Sequence, residues 1–146
     1  MIAFLDHTAL DALYTGGVGR LQVLEAIRKE RVFATAMISK VLFAARLDDL
    51  FAGGVPTGAV EAMGRGFIED EAAFVKIPTD PVLVEAMDFA IRYHLEADQS
   101  IQLAAALYLK DQVIRQTLSD HPVAFVTLDP ALAHVALAEG LPPSIN

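Results

Sequence analysis

"MIAFLDHTAL" (Met1–Leu10) decides how the rest of this chain is read. Ile2–Leu5 is a short, continuous apolar run, the pattern of a strand buried on both faces. It ends on Asp6, and a hydroxyl residue, Thr8, follows two places later. A carboxylate directly after a buried strand either caps the next helix or stands at the carboxyl edge of a sheet, where α/β proteins place their sites. The arrangement recurs far along the chain. "VAFVTLDP" (Val123–Pro130) is an apolar run closed by Thr127 and Asp129, with Pro130 suited to the first position of a helix. If these two strands are parallel neighbours, both carboxylates reach one edge. There they repel unless a divalent cation or a hydrogen-bond donor resolves the conflict.

Between these ends the pattern alternates. A helix is expected over Thr8–Tyr14, stopped by Gly16-Gly17, and another from Gly19 or Arg20 to Arg31 with Leu21, Leu24 and Ile27 or Arg28 inward. Val32–Thr35 reads as a second strand, and Met37–Leu50 as a helix burying Ile38, Val41, Leu42 and Ala45. After a loop at Ala52–Gly58 comes a weaker helix, Ala59–Ala73, interrupted by Gly64 and Gly66, and a third strand, Phe74–Ile77. "PTDP" (Pro78–Pro81) opens a helix with Asp80 as cap and Leu83, Met87, Ala90, Ile91 and His94 along one side. A long helix follows from about Asp98 to Leu118, then the strand Val123–Thr127 and a last helix, Pro130–Glu139, closed by Gly140. Strands alternating with helices predict an α/β, three-layer α/β/α fold around a central, mainly parallel sheet. Residues 1–141 form one domain in this reading, and 142–146 a frayed tail.

Composition narrows the classes. The chain has 146 residues, 54% of them apolar, enough for one compact domain with a real core. It has no cysteine, which excludes disulfides, thiolate zinc sites and cysteine nucleophiles. No run approaches the length needed to cross a bilayer, and the first apolar run lacks the features of a secretory signal, so a cytoplasmic protein without a membrane role is expected. The net charge is −8, from 11 basic and 19 acidic residues, which argues against broad contact with a nucleic-acid backbone. Arg20, Arg28, Lys29 and Arg31 form the best local basic patch, whose plainer role is a solvated helix face. Apolar stripes in excess of what one small core needs point to a homodimer.

Three segments together carry a resemblance. "FLDHTAL" (Phe4–Leu10), "LEADQSIQLAAAL" (Leu95–Leu107) and "AFVTLDPALAHVALAEGL" (Ala124–Leu141), in this order and spacing, resemble the PIN-domain family, which includes the VapC-like toxin ribonucleases. The resemblance implies a metal-dependent ribonuclease, with RNA as substrate and a small antitoxin protein as partner. It also implies a cluster of acids that holds Mg²⁺ or Mn²⁺. Such hard cations take oxygen ligands, ease deprotonation of a bound water and neutralise charge on phosphate oxygens, so no nucleophilic side chain is required. Position by position, Asp6 matches the first acid and Thr8 its hydroxyl neighbour; Asp129 matches the last acid and Thr127 the hydroxyl before it. The third acid falls on Gln99, with Asp98 one place earlier. Asp6, Asp98 and Asp129 are thus the expected metal ligands, and Thr8, Thr127 and Gln99 complete the site. The second acid falls on Lys40 or Val41, neither of which ligates Mg²⁺. A Lys there would repel the cation or replace it by pairing with Asp6 or Asp129.

Two further readings follow. With two positions lacking an acid, the domain can be a degenerate relative that serves as a binding or assembly module. Asp6 and Asp129 can be plain helix caps. His7, beside Asp6, is expected to face away from it, and His94, His121 and His134 to be structural or solvated. A haloacid-dehalogenase-type phosphatase would need an acid at Thr8, and a receiver domain a mid-chain acid and a late Lys. No glycine-rich phosphate loop is present.

Overall fold

The computed structural model describes residues 1–117 and 123–145. Strands β1 (Ile2–Leu5), β2 (Val32–Ala36), β3 (Val75–Ile77) and β4 (Val123–Val126) form one sheet in the order β3-β2-β1-β4. Every pairing is parallel, with Ile2 opposite Val32 on one side and Val123 on the other, and Leu5 opposite Val126. The connections are helical: α1 (His7–Thr15), α2 (Arg20–Ile27), α3 (Ser39–Ala52), α4 (Thr57–Glu71), α5 (Leu83–Tyr93), α6 (Ala97–Thr117) and α7 (Pro130–Ala138). The fold is the three-layer α/β/α arrangement that the alternation predicts.

Successive strand side chains point to opposite faces, and both faces are covered. Phe4, Ala34 and Phe125 pack with Phe89, Leu103 and Leu132 beneath α5, α6 and α7. Ala3, Leu5 and Val126 pack with Leu10, Val23, Phe43 and Phe67 beneath α1 to α4. This double burial is why β1 and β4 are continuously apolar rather than alternating.

Several helices turn differently from expectation. In α2 the inward residue is Val23, and Leu21 is exposed; in α3 Ser39 and Phe43 are buried, and Val41 and Ala45 are exposed. Helix α4 runs unbroken through Gly64 and Gly66. A Cβ on Gly64 would lie 3.3 Å from a Leu47 methyl, so this glycine permits close packing of α4 on α3 instead of ending the helix. Asp80 makes no capping bond; Asp80–Val82 is a 3₁₀ turn that leads into α5. Helix α5 buries Ala86 and Phe89 and leaves Leu83, Val84, Met87 and Ile91 between 45% and 80% exposed. It carries apolar residues on two faces, so periodicity alone could not choose, and the bulky Phe89 takes the core side. His94 and His134 are exposed, as expected, while His121 and Leu118 lie outside the described residues.

The frayed tail is also corrected. Pro143 bridges to Phe125, the Ser144 N–H donates to the Phe125 carbonyl at 2.8 Å, and Ile145 packs on the core. β4 is an edge strand whose outer backbone groups need partners, and this segment supplies one at the Phe125 carbonyl.

Gly16 ends α1 with φ 71°, and a Cβ there would meet no atom within 4 Å. The cost of Gly16→Ala is therefore the left-handed backbone alone, about 1 kcal/mol. Chemical denaturation should show that loss, and a smaller one for Gly16→Asn.

Candidate functional site

The register of β1 against β4 builds the site. Leu5 stands opposite Val126, so the next residues, Asp6 and Thr127, meet at the carboxyl edge. Thr127 Oγ1 donates to Asp6 Oδ2 at 2.5 Å, and Asp6 Oδ1 accepts from Thr8 Oγ1 at 2.6 Å and from the Ala9 N–H at 2.9 Å. Asp6 is thus the N-cap of α1 and the centre of a buried polar knot. The knot extends to the last helix: the Leu128 N–H donates to Thr8 Oγ1, and the Asp129 N–H to Thr127 Oγ1. Asp129 caps α7, its Oδ1 accepting from the N–H groups of Ala131 and Leu132.

Gln99 joins as expected, but as a donor. Its Nε2 donates to Asp129 Oδ2 at 2.6 Å, while its Oε1 accepts from the Glu96 N–H at 2.9 Å. Asp98 does not join. It faces His7, whose Nε2 lies 3.3 Å from Asp98 Oδ2, because one residue along a helix is about 100° of rotation. His7 thereby ties α1 to the start of α6.

The helix after β2 contributes neither Lys40 nor Val41. Lys40 Nζ pairs with Glu71 at 3.2 Å, away from Asp6 and Asp129, and Val41 is exposed. The inward residue is Ser39. Gln102 Nε2 donates to Ser39 Oγ at 2.8 Å, Ser39 Oγ lies 3.0 Å from Thr35 Oγ1, and Thr35 Oγ1 donates to the Leu5 carbonyl at 2.7 Å. Reading the sequence missed this second buried network. The signal available was Gln102 three places after Gln99, on the same side of one helix. The Gln102 Oε1 and His7 Nδ1 atoms are buried with no protein partner.

Burial pushes the Asp6 carboxyl above its ordinary range, against the opposing pull of Thr127, Thr8, the Ala9 N–H and His7. A hard cation fits this donor set poorly. Three protein donors converge on the Asp6 carboxylate, and three more on that of Asp129. Among the described residues no group of three or more His, Asp or Glu side chains is arranged to hold a metal ion. The expected set of Asp6, Asp98 and Asp129 is therefore not assembled.

No family model matches this chain, and no curated protein is significantly similar to it. No helix among the described residues is long and apolar enough to cross a membrane.

Proposed function

We propose that this chain is a PIN-like domain whose acidic edge has become a hydrogen-bonded latch, and that it works as a homodimeric assembly module rather than by cleaving RNA. One observation carries this reading. The charge conflict between Asp6 and Asp129 is resolved by protein donors, Gln99 foremost, where the resemblance would have a cation. The partner in this reading is a second copy, met through the face of α5 that bears Leu83, Val84, Met87 and Ile91. Leu83, Met87 and Ile91 recur every fourth residue, the spacing that seats one helix on another. Sedimentation equilibrium should give a dimer at micromolar concentration, and Met87→Glu with Ile91→Lys a folded monomer. A wild-type monomer would remove the assembly reading.

A second reading is a Mg²⁺- or Mn²⁺-dependent ribonuclease, acting as the toxin of an antitoxin pair. It is supported by the convergence of Asp6, Thr8, Thr127 and Asp129 on one sheet edge beside the start of α6. It requires Gln99 to release Asp129 and Asp98 to leave His7. Single-stranded RNA incubated with either metal is expected to stay intact. Cleavage by the wild type that disappears in Asp6→Asn would replace the first reading with this one.

A further inference from the structure

A cavity lies away from the latch and shares no residue with it. It occupies about 640 Å³ on the sheet face beneath α1, α2 and α4. Its origin is the shortness of α2. That helix packs on α1 and β4, while α4 packs on α1 and α3, so between them Phe33 of β2 is only half covered. Phe33 and Phe74, with ring centres 5.9 Å apart, form its half-buried floor, and Leu24 and Ile27 form one wall.

The polar rim is asymmetric in what it leaves free. Tyr14 OH donates to Asp70 Oδ2 at 2.9 Å, so one acid of the rim already holds a partner, and burial beside that acid raises the Tyr14 pKa. Arg20 uses its Nε on the Leu13 carbonyl at 3.2 Å, which leaves its two terminal nitrogens open. The Arg31 side chain is exposed and makes no hydrogen bond or ion pair among the described residues. Glu69, exposed on the opposite wall, is the competing charge. A guanidinium presents a planar fork of donors that matches a carboxylate. A volume within the roughly 300–1,000 Å³ range of small-molecule sites, an apolar floor and two such forks at the mouth define a ligand with a greasy body and an acidic head.

We infer that this cavity binds a small apolar carboxylate, with its hydrocarbon over Phe33 and Phe74 and its carboxylate at Arg20 and Arg31. This site is independent of the reading of the acidic edge. Its position also explains why Arg20 and Arg31 cluster in a chain of net charge −8.

Octanoate, 1-octanol and octylammonium share one tail and differ in head, so they separate the two contributions. They are titrated into the full chain while the Leu24 and Ile27 methyl resonances are followed. Octanoate is expected to bind saturably at about millimolar concentration or tighter, as its size allows. Octanol should bind at least about fivefold more weakly, and octylammonium more weakly still, since a charged hydrogen bond is lost and then reversed in sign. Arg31→Gln, which removes no contact of the folded chain, should weaken octanoate by about fivefold or more and leave octanol unchanged. Ala73→Phe, at an exposed position on the cavity wall, should abolish both. Absence of saturable octanoate binding, equal or tighter binding of octylammonium, or unchanged octanoate affinity in Arg31→Gln would each overturn the assignment.

Discussion

Asp6→Ala is expected to lower the unfolding free energy by about 3–7 kcal/mol, while Asp6→Asn loses much less. The alanine removes the N-cap of α1 and strips the acceptor from Thr8 and Thr127 in a buried place. A lost cap costs about 1 kcal/mol and each buried orphan about 1–3 kcal/mol, which gives the stated range. Asparagine keeps an oxygen for Thr8 and the Ala9 N–H. Its amide can donate to Thr127 Oγ1, whose own proton can turn to Thr8 Oγ1 at 3.5 Å. The comparison also has a pH signature. Because the folded pKa of Asp6 is raised, the folded state holds the proton more tightly than the unfolded chain. The resulting stability is fully present below the unfolded value, near 3.8, and is lost as pH rises through the folded value. Wild type should therefore lose stability relative to Asp6→Asn across that window and run parallel to it above. Denaturation curves at several pH values check both the magnitude and the slope, and a flat difference would sink the buried-carboxylate account.

Gln99→Asp tests the latch from its other end. The substitution replaces the donor on Asp129 with a second carboxylate and restores the acid that the resemblance places at this position. Two unit charges about 5 Å apart repel by roughly 3 kcal/mol at an effective dielectric of 20. Asp129 is only partly buried, so solvent screening brings the expected destabilisation to about 1–2 kcal/mol. Mn²⁺ should recover that loss in the variant by binding the folded state, and leave the wild-type melting temperature unchanged. Thermal denaturation with and without the ion reads both. A wild-type protein stabilised as strongly as the variant would show that Gln99 does not stand in for a cation.

How far the sequence could be read differs by element. The strands of the α/β sheet were legible because β1 and β4 are buried on both faces and so carry unbroken apolar runs. The caps at Asp6 and Asp129 were legible because an aspartate before a helix start is a local signal, decided within three residues. Asp80 looked the same and does not cap, since a 3₁₀ turn intervenes before α5. The facing of α5 was not legible: Leu83, Met87 and Ile91 match a helical stripe as well as Ala86 and Phe89 do. Nor was the role of Lys40, which depends on Glu71, 31 positions away and held between Lys40 and Lys76.

The sequence by itself determined which stretches become strands and helices, and that two aspartates follow two buried strands. These properties rest on local periodicity and on capping chemistry within a turn of chain. Only the tertiary structure decided that β1 and β4 are neighbours in a register that sets Asp6 against Thr127. It also decided that Gln99 offers its amide nitrogen to Asp129 while Asp98 turns to His7. Those outcomes depend on pairings across about 120 residues and on helix rotations of about 100° per residue, which no local pattern encodes.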